Sequence, residues 1–408
     1  MMRSVLFEDE HTRRLNPLVH LRPVYDLKFG IRTIREKYQK IFKDEFETLH
    51  CREELAAVLT NQNPKAEINS YSADKYIFIN GRSIITESAL KTIDESEDAL
   101  YLKDGVVAAA VLSGGNIDLI RAVKGMLLSR KDFPDLPEKE IECTWINFPW
   151  NLFLENGNEI TREFEGPGIH GKVHNGVNML NEENIYIAEG AIIKPGVSLD
   201  AEEGPIIIDA NAHIMANAYL QGPLYIGENS IIKAGAKIYE GTTIGEFCKV
   251  GGEVEESIFH SYSNKQHDGF LGHAYLAMWV NLGADTNNSD LKNNYGNVRF
   301  HVEGESIDTG TMFCGLVMGD HSKSGINTMF NTGTHVGIAS NVYGSGFPPK
   351  FIPSFSWGGA EGMTSHQIDK AVVTARLVMA RRNVELSSEE EALLKDVFEK
   401  TASDRAAY

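Results

Sequence analysis

A histidine followed by Asp-Gly is the first candidate for chemistry in this chain. It is His267, in the stretch "SNKQHDGFLGHAYLAMWVNLGAD" at 263–285. An amine that attacks a thioester must lose a proton, and histidine is the natural general base for that step near neutral pH. The segment "NNSDLKNNYG" at 287–296 adds amides that can hydrogen-bond sugar hydroxyls, and Lys292 for a phosphate. A histidine beside Asp-Gly is also common in turns, so a structural role stays open.

The residues around this stretch repeat with a period of six. Aliphatic residues occupy every sixth position from Ile208 to Val250, and the same spacing joins Ile187, Ile193 and Leu199. A period of six with small neighbours is typical of hexapeptide repeats, which predict a left-handed parallel β-helix. In such a coil each aliphatic residue points into a narrow bore.

The repeat resumes at Phe270, Leu276 and Leu282, and again from Met318 to Val342. We therefore expect two interruptions, at 251–269 and 284–317. Insertions in repeat proteins map to loops on one face, often the binding face. This interpretation places His267 on a loop that leaves the coil.

The flanking segments predict other kinds of structure. Residues 1–165 alternate strands and helices and indicate an open, mostly parallel sheet, with a helix over "RPVYDLKFGIRTIREKYQKIF" at 22–42. The β-helix is expected over 180–357, with "SGFPPKFIPSFSWGG" crossing or capping its end. Residues 358–408 predict a helical tail, with Ser387 or Ser388 as an N-cap.

The loop after the first strand carries three arginines that could bind an anion. Arg13, Arg14 and Arg22 suit a phosphate at the carboxyl ends of the strands, where ligands usually bind. A solvated charged loop explains them equally well. In the tail, Arg381 and Arg382 could contact a ligand, although solvation of a helix end is the simpler role.

Composition narrows the class of protein. With 408 residues, 42% hydrophobic and 24% charged, the chain predicts two or three globular domains. A net charge of −18 argues against a nucleic-acid binder. Four cysteines without metal spacing, no signal-like start and no apolar run of membrane length predict a cytoplasmic protein without a membrane partner.

Taken together, the segments "SNKQHDGFLG", "VNLGADT" and "NNYGNV" resemble those of the bifunctional UDP-N-acetylglucosamine diphosphorylase/glucosamine-1-phosphate N-acetyltransferases. Nearly the whole chain is similar to a divergent branch of that family, which pairs a short nucleotidyltransferase-like half with the β-helix. The resemblance implies a homotrimer that uses acetyl-CoA, a nucleoside triphosphate such as UTP, a sugar 1-phosphate and Mg²⁺.

Individual residues carry the resemblance into the β-helix. It implies that His267 is the base of acetyl transfer and that Asn281 contacts the sugar. It also implies that Asn294 and Tyr295 hold the sugar phosphate and orient the amine. Lys233 stands where the family has a phosphate-binding arginine.

Two departures affect the same site. Phe270 replaces a tyrosine, so one phosphate hydrogen bond is missing. The loop before "NNYG" is longer than in the better-known branch, which leaves the place of Lys292 open.

The N-terminal half departs further from the family, because its first loop has no glycine where the usual motif is "GxGTRM". Arg13, Arg14 or Arg22 would then grip the triphosphate, and Asp9 and Asn156 are the candidate Mg²⁺ ligands.

Several alternatives remain open at this stage. The N-terminal domain could be degenerate, the chain could be only a nucleotidyltransferase with a trimerising or regulatory β-helix, or it could be a non-catalytic scaffold. A zinc site of the carbonic-anhydrase kind fits poorly, since His267 and His273 have the wrong spacing and no third partner.

Overall fold

The computed structural model describes residues 3–42 and 48–406. It contains an N-terminal α/β part, a long coil of short parallel strands and a helical C-terminus, which confirms the predicted fold class. Its helices are α1 (Ile34–Phe42), α2 (Glu53–Gln62), α3 (Glu87–Leu90), α4 (Gly115–Ala122), α5 (Pro149–Leu154), α6 (Asn156–Glu163), α7 (Ile368–Ala380) and α8 (Ser388–Lys400). None of these helices in the described ranges has the length and apolar character needed to cross a membrane.

The N-terminal part is built on a seven-stranded sheet. Four of its six neighbouring pairs are parallel, and Val106–Ser113 runs antiparallel to both of its neighbours. In spatial order the strands are Glu138–Glu140, Ala99–Lys103, Val106–Ser113, Lys75–Asn80, Arg3–Phe7, Thr48–His50 and Glu67–Ile68. Thr144–Trp145 pairs with Ser83–Ile84 beside this sheet.

The helix predicted over 22–42 is wrong in its first half. Lys28–Phe29 and Arg32–Thr33 form an antiparallel hairpin around Gly30, and α1 begins only at Ile34. Gly30 has a φ of +69°, and a Cβ there would lie 2.9 Å from the Cβ of Glu159. A left-handed residue pressed against another helix favours glycine, so the chain turns here.

Each full turn of the coil contributes one strand to each of three faces. Face 1 contains Gly168–Ile169, Ile185–Ile187, Ile206–Ile208, Leu224–Ile226, Thr242–Ile244, Ile258–Phe259, Tyr275–Leu276, Leu316–Met318, Thr334–Val336 and Phe351–Ile352. Face 2 contains Lys172–Val173, Ile192–Ile193, His213–Ile214, Ile231–Ile232, Lys249–Val250, Asn264–Lys265, a bridge at Asn281, Lys323–Ser324, Asn341–Val342, Ser356–Gly359 and Gly362–Ser365. Face 3 contains Asn178–Leu180, Ser198–Asp200, Tyr219–Gln221, Lys237–Ile238, Glu253–Glu255, Phe270–Gly272, Asn287–Asn288 and Met329–Phe330.

The bore of the coil is filled as the hexapeptide pattern predicts. All residues of the series from Ile208 to Val250 are fully buried in one continuous apolar cluster, together with Ile187, Ile193 and Leu199. Neighbouring strands lie in register, so each of these side chains stacks on its counterpart in the next turn. The segment 345–359 supplies the last strands of faces 1 and 2, so it does close the coil end.

The predicted interruption at 251–269 is wrong. This segment makes a complete turn of the coil, in which Val254 and Phe259 fill the bore. The steps from Val250 to Val254 and on to Phe259 are four and five residues instead of six, because the corners are shorter. The prediction for Phe270 is also wrong by one residue, since Leu271 is buried while Phe270 lies on the outer side.

The second predicted interruption is present. Between Asn287–Asn288 and Leu316–Met318 the chain leaves the coil and forms an antiparallel hairpin, Arg299–Val302 with Glu305–Asp308. This excursion packs on the N-terminal part, with the rings of Phe300 and Trp150 5.6 Å apart.

Face 1 also docks the N-terminal part onto the coil. The Tyr275 hydroxyl donates to the Lys28 carbonyl at 3.1 Å and accepts from the Lys28 amide at 3.0 Å. Lys28 further pairs with Glu246 at 2.6 Å. The outer side of face 1 is therefore occupied by an interdomain contact, whereas faces 2 and 3 carry polar residues such as Asn281 and Lys237.

The C-terminal helices close the structure against both other parts. Apolar residues of α7 and α8 share one buried cluster with Trp279 and Phe355 of the coil and with Leu55 and Leu59 of α2. Ser387 caps α8 as predicted, in a capping box with Glu390.

The corrected register predicts unequal effects for two neighbouring residues. Leu271→Ala should lower the free energy of unfolding by about 2–5 kcal/mol, because it leaves a cavity in the bore. Phe270→Ala, its control on the same strand, should cost clearly less. Urea denaturation of both variants measures the difference, and an equal or larger loss for Phe270→Ala would restore the original register.

Candidate functional site

The outer side of face 2 carries a ladder of polar residues. Lys249, Asn264, Asn281, Lys323 and Asn341 are register partners in successive turns of the coil. Their side chains therefore follow one another at the spacing of neighbouring strands, roughly 4.8 Å. Such a ladder can contact several groups of one elongated ligand.

His267 lies at the corner that joins face 2 to face 3. It stands in the turn between Asn264–Lys265 and Phe270–Gly272, and its side chain is exposed. No described residue hydrogen-bonds to its imidazole. The imidazole is thus on the coil itself, not on a loop that leaves it, and it is free to accept a proton from a bound molecule.

A buried lysine fixes the backbone of this corner. Lys265 points into the bore with 1% of its surface exposed, where the equivalent residue of the preceding turn is Val250. Its Nζ donates to the carbonyl of His267 at 3.0 Å and to that of Gly251 at 3.2 Å. Burial lowers the pKa of Lys265 to about 8. This role could not be predicted from the hexapeptide pattern, because a lysine breaks the aliphatic series.

Four cations gather beside the ladder. Lys233 directly follows the face 2 strand Ile231–Ile232. Burial, and then the positive charges of Arg382, Lys233 and Arg381, lower the pKa of Lys249. Within 3–42 and 48–406 none of the four forms an ion pair. Lys249 was not predicted as a site residue. Arg382 was considered as a ligand contact but interpreted as solvating a helix end, because the tail reaches this face only in three dimensions.

The residues predicted on the excursion lie apart from His267. Lys292 donates through its Nζ to the Asn297 carbonyl, and the Asn294 side chain accepts from the Gly296 amide at 3.1 Å. Tyr295 is 68% exposed at the tip of this turn. The structure joins these three residues to one another but shows no contact between them and the His267 corner.

His273 has a different environment from His267. Its Nδ1 lies 2.8 Å from Asp290 Oδ2, and its ring stacks on Phe313 at 4.7 Å. Glu255 completes a group of three whose ligand-type atoms lie within 4.8 Å of one another. Because Asp290 and Phe313 begin and end the excursion, these contacts hold its base against the coil. The histidine pair considered for zinc is not brought together.

The two residues predicted as Mg²⁺ ligands are engaged elsewhere and do not meet. Asp9 follows the first strand, where Arg82 donates to its two oxygens at 2.6 and 2.5 Å. Asn156 is fully buried at the start of α6 and bonds to Gly30, Gly241 and Thr243. The guanidinium of Arg82 neutralises the carboxylate of Asp9, and Asn156 is enclosed by its three partners, so neither side chain is presented to a metal ion in this arrangement.

Of the three predicted phosphate-binding arginines, two remain accessible. Arg13 is exposed, and Arg14 lies over the ring of Phe148 at 5.9 Å. Arg22 is buried and pairs with Asp320 of the coil, also donating to the Leu18 carbonyl at 3.0 Å. Its role is to join the two domains.

A cleft of about 800 Å³ lies between α1, the coil and the C-terminal helices. Trp279, His321, Arg35 and Leu394 are among its walls. Arg22 is the one sequence-predicted site residue that lines it, so this cleft is separate from the His267 corner.

Comparison with known proteins supports the two-part organisation. Residues 4–167 match the sugar nucleotidyl transferase family, and residues 205–240 match the bacterial transferase hexapeptide (six repeats) family.

Two curated relatives match parts of the chain. The bifunctional sugar-1-phosphate nucleotidylyltransferase/acetyltransferase of Sulfurisphaera tokodaii is 32% identical over 147 residues, which covers 35% of this chain and 36% of that protein. The bifunctional protein GlmU of Methanococcus maripaludis is 26% identical over 233 residues, which covers 56% of this chain and 49% of that protein. The chain thus spans about half or less of the length of these relatives.

Among solved structures, the UDP-N-acetylglucosamine acyltransferase LpxA from Bacteroides fragilis matches with a TM-score of 0.24 and 13% identity, over 59% of this chain and 92% of that one. A similarity this low says nothing about function.

The buried lysine leads to a pH-dependent prediction. Its folded-state pKa is lowered, so between about pH 8 and its unfolded value the unfolded chain binds a proton that the folded chain does not, and stability rises with pH. The free energy of unfolding of Lys265→Met relative to wild type should therefore fall by up to about 3 kcal/mol from pH 7 to pH 10.

Urea denaturation at the two pH values measures this change. The control is Lys237→Met. In the wild type the ammonium of Lys237 is exposed, and its hydrogen bond with Glu253 raises its pKa. A pH-independent difference for Lys265→Met would contradict the burial of a charged ammonium in the bore.

Proposed function

We propose that this chain, which combines a sugar nucleotidyl transferase domain with a hexapeptide-repeat coil, acetylates an amino-sugar 1-phosphate with acetyl-CoA on face 2 of the coil. One observation carries the proposal. An exposed imidazole, an asparagine ladder and two lysines that form no ion pair with any described residue, Lys233 and Lys249, share one continuous surface. These are a general base, hydrogen-bonding groups for sugar hydroxyls and a binding site for a phosphate.

In the proposed reaction the sugar amine attacks the thioester carbonyl of acetyl-CoA. The new C–N bond forms, the C–S bond breaks, and the electron pair leaves with the coenzyme A thiolate. His267 takes the proton that the amine loses. Lys265 keeps the His267 corner in place through its hydrogen bond to the His267 carbonyl.

The sugar 1-phosphate is oriented along the ladder. Asn281 lies between Asn264 and Lys323, where its amide can contact a sugar hydroxyl. Lys233 and Lys249, neither of which forms an ion pair with a described residue, supply positive charge for the phosphate. Phe270 offers no hydroxyl, so the phosphate depends on these cations.

We further propose that the active form is a homotrimer in which Asn294 and Tyr295 act in a neighbouring subunit's site. Both are exposed at the tip of the excursion and away from the His267 corner of their own chain. Lys292 supports the tip by holding the Asn297 carbonyl.

A second activity, nucleotidyl transfer to the sugar 1-phosphate, is favoured by the family match over 4–167. Arg13 and Arg14 are the accessible residues for the triphosphate of UTP or a similar nucleotide. Asp9 is ion-paired with Arg82, and Asn156 is buried against the coil, so no step is assigned to a Mg²⁺ ion bound by these two residues.

Acetyl transfer is tested with glucosamine 1-phosphate and acetyl-CoA by following free thiol release. Wild type should release thiol, and His267→Ala should lower kcat by about 100-fold or more, because removing a general base costs that much. His170→Ala, an exposed histidine at the start of the coil, is the control and should retain activity.

Failure of wild type to release thiol would leave a nucleotidyltransferase with a trimerising coil. Activity that survives in His267→Ala would remove this residue from the mechanism. A scaffold role requires in addition that none of the substrates raises the melting temperature.

The second activity has its own assay. Wild type should release pyrophosphate from UTP and N-acetylglucosamine 1-phosphate, and Arg13→Ala should raise KM for UTP about tenfold, the effect of losing one phosphate contact of about 1.4 kcal/mol. Lys91→Ala removes an equally exposed charge as the control. Absence of pyrophosphate release from wild type would identify the N-terminal domain as non-catalytic.

A further inference from the structure

We propose that Arg382, at the end of α7, binds the substrate phosphate, so that the C-terminal helices form part of the acetyl-transfer site. This inference rests on the proposed function of face 2. It assigns a ligand class to the tail, namely a phosphate monoester dianion, and makes the tail a determinant of specificity for phosphorylated sugars.

The first argument is position. Arg382 donates from Nη2 to Oδ1 of Asn264 at 3.1 Å. Asn264 is the ladder residue between Lys249 and Asn281, two residues that the proposed function assigns to the site. The Nε and Nη1 of Arg382 make no hydrogen bond to any described residue, so the guanidinium keeps two groups of donors for a ligand.

The second argument is charge. Lys233, Lys249, Arg381 and Arg382 gather on one surface, although the chain carries 57 acidic residues against 39 basic ones. On the helix that precedes Arg382, by contrast, Arg376 is neutralised by Glu391 at 2.6 Å. Among residues 3–42 and 48–406, no carboxylate pairs with any of the four. Like charges held together without a partner repel, and a bound dianion would remove that cost.

The third argument is rigidity. The turn that carries Arg382 follows directly on α7, whose Val372 and Met379 are buried against the coil. Asn383 then adopts a left-handed conformation, with a φ of +58°, and the chain turns back toward α8. Arg382 is therefore held from both sides, so binding needs little ordering of this segment.

The guanidinium suits this ligand better than a third lysine would. Its planar donors match two oxygens of a phosphate at once, whereas an ammonium acts as a point charge. Lys233 and Lys249 on the coil provide positive charge, and Arg382 in the tail orients the phosphate through its directed hydrogen bonds. A sugar without a phosphate would gain nothing from this group.

The test compares Arg382→Gln with Arg376→Gln, which removes a charge from the same helix outside the site. Thiol release is measured with acetyl-CoA and either glucosamine 1-phosphate or glucosamine. For Arg382→Gln the ratio of kcat/KM for the phosphorylated sugar to that for the plain sugar should fall about 10- to 100-fold, mainly through KM. Arg382→Lys should recover part of the loss, and Arg376→Gln should keep the wild-type ratio.

A binding measurement separates this inference from the proposed function. Inorganic phosphate should raise the melting temperature of wild type more than sodium chloride of equal ionic strength, and Arg382→Gln should lose that increase. If wild type acetylates neither sugar, but phosphate still stabilises wild type and not Arg382→Gln, the acetyltransferase proposal fails and the anion site stands. An unchanged ratio of kcat/KM values or an unchanged phosphate effect in Arg382→Gln overturns the role of Arg382. If the glutamine variant does not fold, the same two measurements on Arg382→Lys decide the question.

Discussion

The narrow bore of the coil is the constraint on which the rest of the structure depends. The aliphatic residues at every sixth position from Ile208 to Val250 are fully buried in it, together with further apolar residues such as Leu224 and Ala236. With the interior filled in this way, the polar side chains of the strands point outward from three flat faces. Face 1 uses them to hold the N-terminal part, as Tyr275 does with Lys28, and the ladder of face 2 is left for a ligand.

Lys265 departs from this constraint at the proposed catalytic corner. Its ammonium sits where an aliphatic residue would pack, and it bonds only to the carbonyls of Gly251 and His267. Burial without a carboxylate partner makes the charged form costly, as its lowered pKa shows. The departure is understandable if holding the His267 turn matters more than local stability, since proteins break packing rules mainly at functional sites.

What could be predicted from the sequence followed from local pattern. The period of six predicted the coil and its buried residues, but it failed at Val254 and Phe259, where shorter corners change the spacing. The hairpin at Gly30 was missed because its cause, the contact with Glu159, lies far away in the chain. Contacts at still longer range decide which charged residues are available, and no local pattern reveals them.

The partners of each cation distinguish structural from ligand-binding roles in this protein. Arg22 and Arg82 have the residue type of a phosphate site, yet each is buried against a carboxylate, Asp320 or Asp9. Removing either partner of such a pair leaves an uncompensated buried charge, so these arginines are committed to the fold. Lys249 and Arg382 pair with no carboxylate among residues 3–42 and 48–406. By this criterion the chemistry with the stronger structural support is on the coil, whereas Arg22 and Arg82 join and stabilise the domain that docks on it.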